Sequence, residues 1–434
     1  MRQDGLVAYV VSANKVYAVN PRSGISTFLF NIPSFMGPVY AAECTASNLP
    51  TPPGQVLFVD GAAAYCWNYL TNTVSVALPG AVNTSISQAV PSALVGQDGF
   101  ALVNNTGTNQ LWQSNFGDFS TFPASQYSTN FSSSDSIVAL AGIHREVWVF
   151  KSRTVEVNID SGTAGAPGFN FSILQGVDIP VGCTAPGSVA KLKDGLIWLG
   201  GDETGDGVVF HANGYQAAPV STYAISQIIQ AMPISSDAIG FVHQWSKHWF
   251  YELTFPTANI TFVFDLTTKK WHQRASFSEV GFARNRSNCH CMVGSNDWIG
   301  DYQNGNIYTY GQNVFTDAGV NRRWLRSWRA LPEDQETSKA FSVDFLNIFF
   351  ETGMTVPPGT NPQICLRWSY DGGYTWPGSR FIPLGQVGQT AWKVFTNRLG
   401  STGFNKGTDL VFEISGSDPI NIKITGAEVE GGAV

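Results

Sequence analysis

Residues 262–274, FVFDLTTKKWHQR, constrain the fold most, because they read as a strand, a tight polar turn and a second strand. Phe262 and Phe264 alternate with Val263 and Asp265, residues 265–270 supply a polar turn, and Trp271 restarts an apolar run. That is the pattern of a β-hairpin. Just upstream, residues 238–241 and 248–253 (HWFYEL) are two more aromatic, β-rich runs of strand length. Short antiparallel strands in this number make a sheet of the size a propeller blade needs, and the rest of the chain repeats the unit loosely.

Taken in order, residues 6–11, 15–19 and 25–30 predict a first blade, and 56–60, 64–67 and 74–78 the body of a second. A third lies in 99–103 and 110–113, and a fourth in 137–141, 146–150, 155–159 and 169–174. Residues 181–220 hold a fifth, the opening hairpin belongs to the sixth, and 289–293, 298–302 and 307–310 suggest a seventh. The count is six or seven, since strands from the opposite end of a ring can complete the first or last sheet. Residues 114–136, rich in Ser, Phe and Asn without period, are expected to form a long surface loop. Residues 223–232 (YAISQIIQAM) have helical spacing through Ile225, Ile228 and Ile229, so one short helix is expected. Past residue 340, alternating runs at 341–350, 363–368, 392–395, 410–414 and 420–424 suggest a β-sandwich. The fold expected is therefore all-β. A β-propeller of six or seven blades over residues 1–325 precedes a C-terminal β-sandwich-like domain over 326–434, with almost no helix outside residues 223–232.

A chain of 434 residues exceeds one compact core, which suits two domains or a repetitive β-fold. Charged residues make up 13%, about half the usual share, as befits a subunit whose surface is covered by neighbours. The net charge of −7 opposes sequence-independent nucleic-acid binding, which needs a basic face to displace counterions from phosphate. No apolar run reaches membrane-spanning length, and MRQDGLVAYVV lacks the regions of a signal peptide, so the expectation is an unprocessed chain without a membrane anchor. Cysteines 44, 66, 183, 289, 291 and 365 are too sparse for a disulfide scaffold and read as reduced thiols. Cys289, His290 and Cys291, with His272, have metal-binding residue types, but no second pair follows at ligand spacing, so no metal is assigned.

Residues 321–329 (NRRWLRSWR) form the densest basic run, with Arg322, Arg323, Arg326 and Arg329 around Trp324 and Trp328. Such a run can stack bases and pair phosphates, facing DNA or a protein interface. It also fits a strand whose arginines pair with Glu333, Asp334 and Glu336 just beyond. Further on, Ser369, Asp371, Gly373, Thr375 and Trp376 fill every fixed position of the Asp-box pattern S-x-D-x-G-x-T-W. This box is expected to be a structural hairpin turn, with Ser and Asp side chains bonding turn amides, Gly in a left-handed conformation and Trp packed beneath. Sialidase propellers carry the same box, which keeps a glycan-hydrolysing or glycan-binding propeller in view as the alternative. Hydrolysis needs convergent carboxylates, or a Tyr with a Glu, plus arginines for an acidic sugar. Arg153, Glu156, Arg274, Glu279 and Arg284 offer the types, but their spacing does not set them apart. No Ser-His-Asp constellation, phosphate loop or dinucleotide fingerprint occurs. No catalytic residue and no cofactor is assigned.

Several motifs in order carry a family resemblance: FKSRTVE from Phe150 to Glu156, Trp198-Leu199-Gly200, Asn213-Gly214-Tyr215, Ser221-Thr222, and LTFPT from Leu253 to Thr257 leading to Phe264-Asp265 and Trp271-His272. They continue through Gly300-Asp301-Tyr302, LRWS from Leu366 to Ser369, Leu399-Gly400, Asp418-Pro419 and Gly426-Ala427. By these the chain resembles the packaged-DNA stabilisation, or tail nozzle, proteins of short-tailed bacteriophages. The resemblance implies a structural virion protein of the tail, assembled in the host cytoplasm. It implies a homo-oligomeric ring, six subunits in related tails, that extends the portal and adaptor channel and conducts double-stranded DNA without sequence-specific binding. Implied partners are the head-to-tail adaptor, a tail needle or plug, and tail fibre or spike proteins. Two departures accompany it. The family commonly has a segment ahead of the first blade that this sequence does not show, and Ser401, Thr402 and Gly403 stand where the family is basic. Contacts made by those parts are not carried over.

Overall fold

The computed structural model describes residues 7–33, 37–46, 53–78, 89–129, 132–162, 168–202, 205–278, 280–311, 314–329, 341–353, 356, 359–401 and 409–433. They fall into two compact units, one of residues 1–275 with 283–309 and one of 276–282 with 310–434. The expected division at 325/326 falls inside a strand, Trp324–Arg329, which pairs along its length with Val411–Gly416 of the second unit.

Among the described residues the first unit holds seven antiparallel blade sheets in chain order. Blade 1 is Ala8–Ser12, Lys15–Val19 and Ser26–Asn31, and blade 2 is Tyr40–Glu43, Gln55–Val59, Ala64–Asn68 and Thr73–Leu78. Blade 3 is Leu94–Gln97, Phe100–Asn104, Leu111–Gln113 and Tyr127–Ser128, and blade 4 is Ile137–Ile143, Glu146–Lys151, Val155–Asp160 and Phe171–Ile173. Blade 5 joins Gly182–Cys183, Ala190–Lys191, Gly195–Asp202, Gly205–Asn213 and Gln216–Pro219. Blade 6 is Ile239–Trp245, His248–Phe255, Ile260–Asp265 and Lys270–Gln273, and blade 7 is Ser287–Val293, Asn296–Asp301 and Ile307–Thr309.

Middle strands such as Gln55–Val59 (QVLFV) are apolar without a break because each of their faces meets a different neighbour. Val56 and Phe58 pack with Val16 and Phe30 of blade 1, whereas Leu57 and Val59 pack with Ala101 and Val103 of blade 3. The pattern repeats in the next blades. Phe100 and Leu102 meet Val147 and Val149 of blade 4, and Trp148 and Phe150 turn the other way to meet Trp198 of blade 5. Blade 5 in turn buries Leu199 and Val209 against Tyr251, Phe255 and Phe262 of blade 6. Blades 1 and 7 each have three strands, and among the described residues neither borrows one from the other.

The hairpin that opened the sequence argument pairs Ile260–Asp265 with Lys270–Gln273. Asp265 organises its turn, accepting from Thr267 N at 2.8 Å and Thr268 Oγ1 at 2.7 Å, with His248 Nδ1 also 2.8 Å away. Burial works against this carboxylate, but hydrogen bonds from Thr268 and His248 outweigh it and hold its pKa down to about 2. The helix spans Tyr223–Gln230, two residues shorter than the apolar spacing suggests. Thr222 caps it by accepting from Ile225 N, and Ile229 is its buried anchor. Residues 114–136, expected as a loop, instead supply the outer strand Tyr127–Ser128 and bury Phe119 and Phe122 in the core shared by blades 2 and 3. Their aromatics dock from irregular backbone, which leaves no period to read.

The FKSRTVE motif is a hairpin of blade 4 closed by a buried ion pair. Lys151 Nζ lies 2.6 Å from Glu156 Oε1 and donates to Ser133 O at 2.7 Å, with Asp135 at 3.8 Å. The lysine side chain is wholly buried.

In the second unit, Trp324–Arg329, Val411–Gly416, Gln363–Ser369 and Ser379–Pro383 form one sheet, and Val394–Ser401, Phe341–Phe350 and Ile424–Ala433 a second. They sandwich one core of Leu346, Ile348, Ile364, Leu366, Phe412 and Ile414, closed at one edge by Trp324 and Trp328. A strand expected at 420–424 begins only at Ile424, because Ile420 is drawn into that core from irregular backbone. Gly431 faces Ser342 so closely that a Cβ would lie 1.8 Å from the carbonyl oxygen, so only glycine fits this sheet position.

Removing one partner of the Lys151–Glu156 pair strands a charge in the core, which typically costs about 3–5 kcal/mol. Lys151→Met or Glu156→Gln alone is expected to lower the urea midpoint sharply, and the double variant Lys151→Met/Glu156→Leu to recover most of the loss. A double variant that loses the sum of the two single losses would show that the pair is not coupled.

Candidate functional site

The Asp box sits at the end of the strand Gln363–Ser369 and closes on itself through its own side chains. The buried Ser369 Oγ accepts from Gly373 N at 2.9 Å and donates to Asp371 Oδ1 at 2.6 Å. Asp371 accepts from Thr375 N at 2.8 Å and Thr375 Oγ1 at 2.6 Å. Gly372 and Gly373 both have positive φ, +75° and +99°, a conformation that a Cβ resists. Trp376 is half-buried, with the Arg367 guanidinium 4.7 Å from its ring centre, and Arg367 also clasps Glu413. The five box residues thus meet in one turn, with the Ser369 and Asp371 side chains bonded within it and Trp376 beneath Gly373. Hydrogen bonds from Ser369 and Thr375 hold the Asp371 carboxyl down to about 2.

The basic run divides into committed and exposed arginines. Arg329 Nε pairs with Asp409 Oδ1 at 2.7 Å, and the Arg323 guanidinium stacks 4.9 Å over Phe277. Arg322 and Arg326 are exposed, and among the described residues neither has an acidic partner. The acids expected to pair with the run, Glu333, Asp334 and Glu336, lie outside the described residues, as does Glu279.

Residues of the glycosidase alternative are not brought together. Glu156 is consumed by Lys151 in blade 4, Arg274 donates to Glu252 at 2.8 Å in blade 6, and Arg284 stacks 3.6 Å over Tyr302. Arg153 contributes its backbone N–H to Asp135 at 2.8 Å. Of the Cys-His-Cys run, His290 is held by Asp297 at 2.7 Å, and among the described residues no three His, Cys, Asp or Glu side chains converge to hold a metal ion.

Sequence reasoning missed a buried polar clasp between blades 6 and 7. Glu252, fully buried, accepts from Arg274, from Asn285 Nδ2 at 2.8 Å and from Ser287 Oγ. His243 lies beside it with Nε2 3.2 Å from Arg274, and burial followed by the Arg274 charge pushes its pKa down to about 3, so it is neutral. The available signal was one Glu amid the apolar run HWFYELTF. On the inner strands, a cavity of about 420 Å³ is lined by small residues, Ala41, Gly96, Ala141 and Gly142, with Glu43 and Lys191 at its rim. That is the size of a small-molecule pocket. Nothing as wide as a nucleic-acid duplex passes through it.

A seven-sheet unit and a sandwich unit of two further sheets define an all-β protein. Two family models cover nearly the whole chain: bacteriophage P22 Gp10, β-propeller, over residues 5–314, and bacteriophage P22 Gp10, β-sandwich, over residues 309–432. The chain belongs to the bacteriophage P22 Gp10 family and is a bacteriophage structural protein. No curated protein matches it. Among solved structures it is similar to PorZ, a surface component of the type-IX secretion system of Porphyromonas gingivalis, at 10% identity over 79% of this chain and 42% of that one, TM-score 0.40. It is also similar to a chain of the mitotic checkpoint complex, at 12% identity over 70% and 86%, TM-score 0.41. A third is the N-terminal domain of Nup159, at 10% identity over 69% and 85%, TM-score 0.41.

The unfolded chain protonates an aspartate near pH 4, about two units above Asp371 in the turn, so this group stabilises the fold fully above about pH 4 and ceases to as pH falls toward 2. Asp371→Ala is expected to melt below wild type at pH 7, and the gap to narrow between pH 4 and pH 2. A gap independent of pH in thermal melts would remove the carboxylate from the account.

Proposed function

We propose that this protein is a subunit of a phage tail nozzle, a homo-oligomeric ring that extends the portal and adaptor channel, stabilises packaged DNA and conducts it at ejection. Membership of the P22 Gp10 family across both units is the observation that carries this reading. The cavity lined by inner strands of blades 2 to 5 is far too small for a duplex, so DNA would run along the ring axis, outside the individual propellers. Partners on this reading are the adaptor above and a needle, plug, fibre or spike protein below. The Asp box, Ser369 to Trp376, serves as a folded turn rather than a reactive centre.

The charge pattern supports passage without grip. Arg145, Arg274, Arg286, Arg329 and Arg367 are each paired to a carboxylate within the chain. Arg284, Arg323 and Arg380 lie over aromatic rings. A guanidinium already bonded to a carboxylate gains little from a phosphate, so these arginines would release few counterions from DNA. Retention would come from narrowing the tube and from recruiting a terminal plug.

The isolated protein is therefore expected to bind duplex DNA weakly even at low ionic strength, with a shallow dependence on salt. Tight binding that weakens steeply with salt, and is lost when Arg322, Arg323, Arg326 and Arg329 are all changed to Gln, would make residues 321–329 a DNA clamp instead. Particle mass with and without purified adaptor tests the ring.

A further inference from the structure

Between Arg22 and Asp98 the chain has no Lys or Arg, and its only acids are Glu43 and Asp60. Neither is a free surface charge. Asp60 is buried and accepts from Ala62 N at 2.9 Å and Ala63 N at 2.8 Å, while Glu43 accepts from Tyr69 Oη at 3.1 Å. This segment holds blade 2 and the outer strand of blade 1, and the outer strands of the two blades, Ser26–Asn31 and Thr73–Leu78, are each six residues long. Ile25, Leu70 and Val76 are 66%, 63% and 57% exposed, and Phe28 and Val74 are exposed beside them.

The other blades blunt their outer edges. In blades 3, 4 and 7 the last strand has two or three residues, in blade 5 it ends at Pro219, and in blade 6 it begins at Lys270. Short strands, proline and lysine are the devices that keep an edge from pairing. Blades 1 and 2 have none of them, so their edge is built to be covered.

A second uncharged stretch runs between Asp206 and Asp237, again without Lys, Arg, Asp or Glu. It contains the outer strand of blade 5 and the helix Tyr223–Gln230, whose outward side shows Tyr223, 81% exposed, and Ile228, with Ile234 exposed just beyond. Blades 3 and 4 separate this patch from blades 1 and 2 in one direction, and blades 6 and 7 in the other. A head-to-tail contact between copies needs two different matching patches on one chain, and closes a ring when the rotation allows. With a net charge of −7, two copies repel each other except where neither presents acid. The chain has such a neutral, apolar pair of patches, and that selects a second copy as the occupant.

We propose that the outer edge of blades 1 and 2 in one subunit docks on the helix and outer strand of blade 5 in the next. This rests on the ring reading above. The test uses the full chain in its assembled particle, with Val76→Cys and Ile228→Cys introduced singly and together and treated with a short bis-maleimide. Linked dimers and a higher ladder from the double variant, above the background of either single variant, are expected. Val74→Glu/Val76→Glu is expected to drop the particle mass to that of a monomer while the circular dichroism spectrum is unchanged. A ring that persists in the Glu variant without cross-links in the Cys pair overturns the proposal and leaves the nozzle reading intact. Linked dimers without a higher ladder from Val76→Cys alone, in excess of wild type, mean that like edges meet, which also overturns it. A wild-type chain that stays monomeric even with its adaptor removes the ring reading itself.

Discussion

Strands buried on both faces are what the propeller depends on. Leu57 and Val59 turn toward blade 3 while Val56 and Phe58 turn toward blade 1, and the same division recurs at Phe100 to Val103 and at Val147 to Phe150. Each such side chain is worth about 1.5–3 kcal/mol when fully buried, so a blade with one face wet loses about half its support. Stability is therefore a property of the series and falls away where neighbours run out. In blade 7 the buried apolar residues are Val293 and Ile299, whereas the Leu196–Leu199 run of blade 5 has no exposed surface at all. Local opening is easiest at such a thinly packed end.

This constraint also explains how much the sequence could reveal. Strand-length apolar runs with turn chemistry between them mark nearly every blade, and the spacing of Ile225, Ile228 and Ile229 marks the helix, because each is a local pattern with one physical cause. The Asp box is legible for the same reason: its hydrogen bonds join residues two to four apart. What stayed hidden depends on distant partners. Phe119 and Phe122 are buried by side chains of blade 2, from which residues 114–136 are remote in sequence. Arg329 meets Asp409, eighty residues on, because its strand pairs with Val411–Gly416. Glu252 owes its three donors to residues 22 to 35 positions away, and no periodicity within one strand encodes that.

The buried polar groups share one logic. A charge in a packed interior is tolerated only when its hydrogen bonds are nearly complete, since an unpaired one costs several kcal/mol. Lys151 meets Glu156, Ser133 and Asp135, and Glu252 meets Arg274, Asn285 and Ser287. Both clusters tie a hairpin to neighbouring segments that apolar contact alone would leave free to slide. His243 stays neutral beside Arg274, which places a histidine in the core without adding a second positive charge.

That economy of charge bears on how such a part could handle DNA. A wall studded with free arginines would lower the energy of DNA at each contact, and a duplex leaving under pressure would have to break those contacts in succession. Binding energy spread along a conduit becomes friction, because every phosphate released must recapture its counterion before the next is engaged. A chain that pairs its arginines internally, as Arg274, Arg286 and Arg367 are paired, keeps the same side chains for folding while presenting little of their charge. Exceptions among the described residues are Arg322 and Arg326, exposed on a segment at the edge of the sandwich sheet, and the exposed Arg22, Arg153 and Arg398 elsewhere. Exposed lysines such as Lys15, Lys193, Lys247 and Lys393 stand on separate segments, so a duplex passing such a part would meet dispersed charges rather than one continuous basic run.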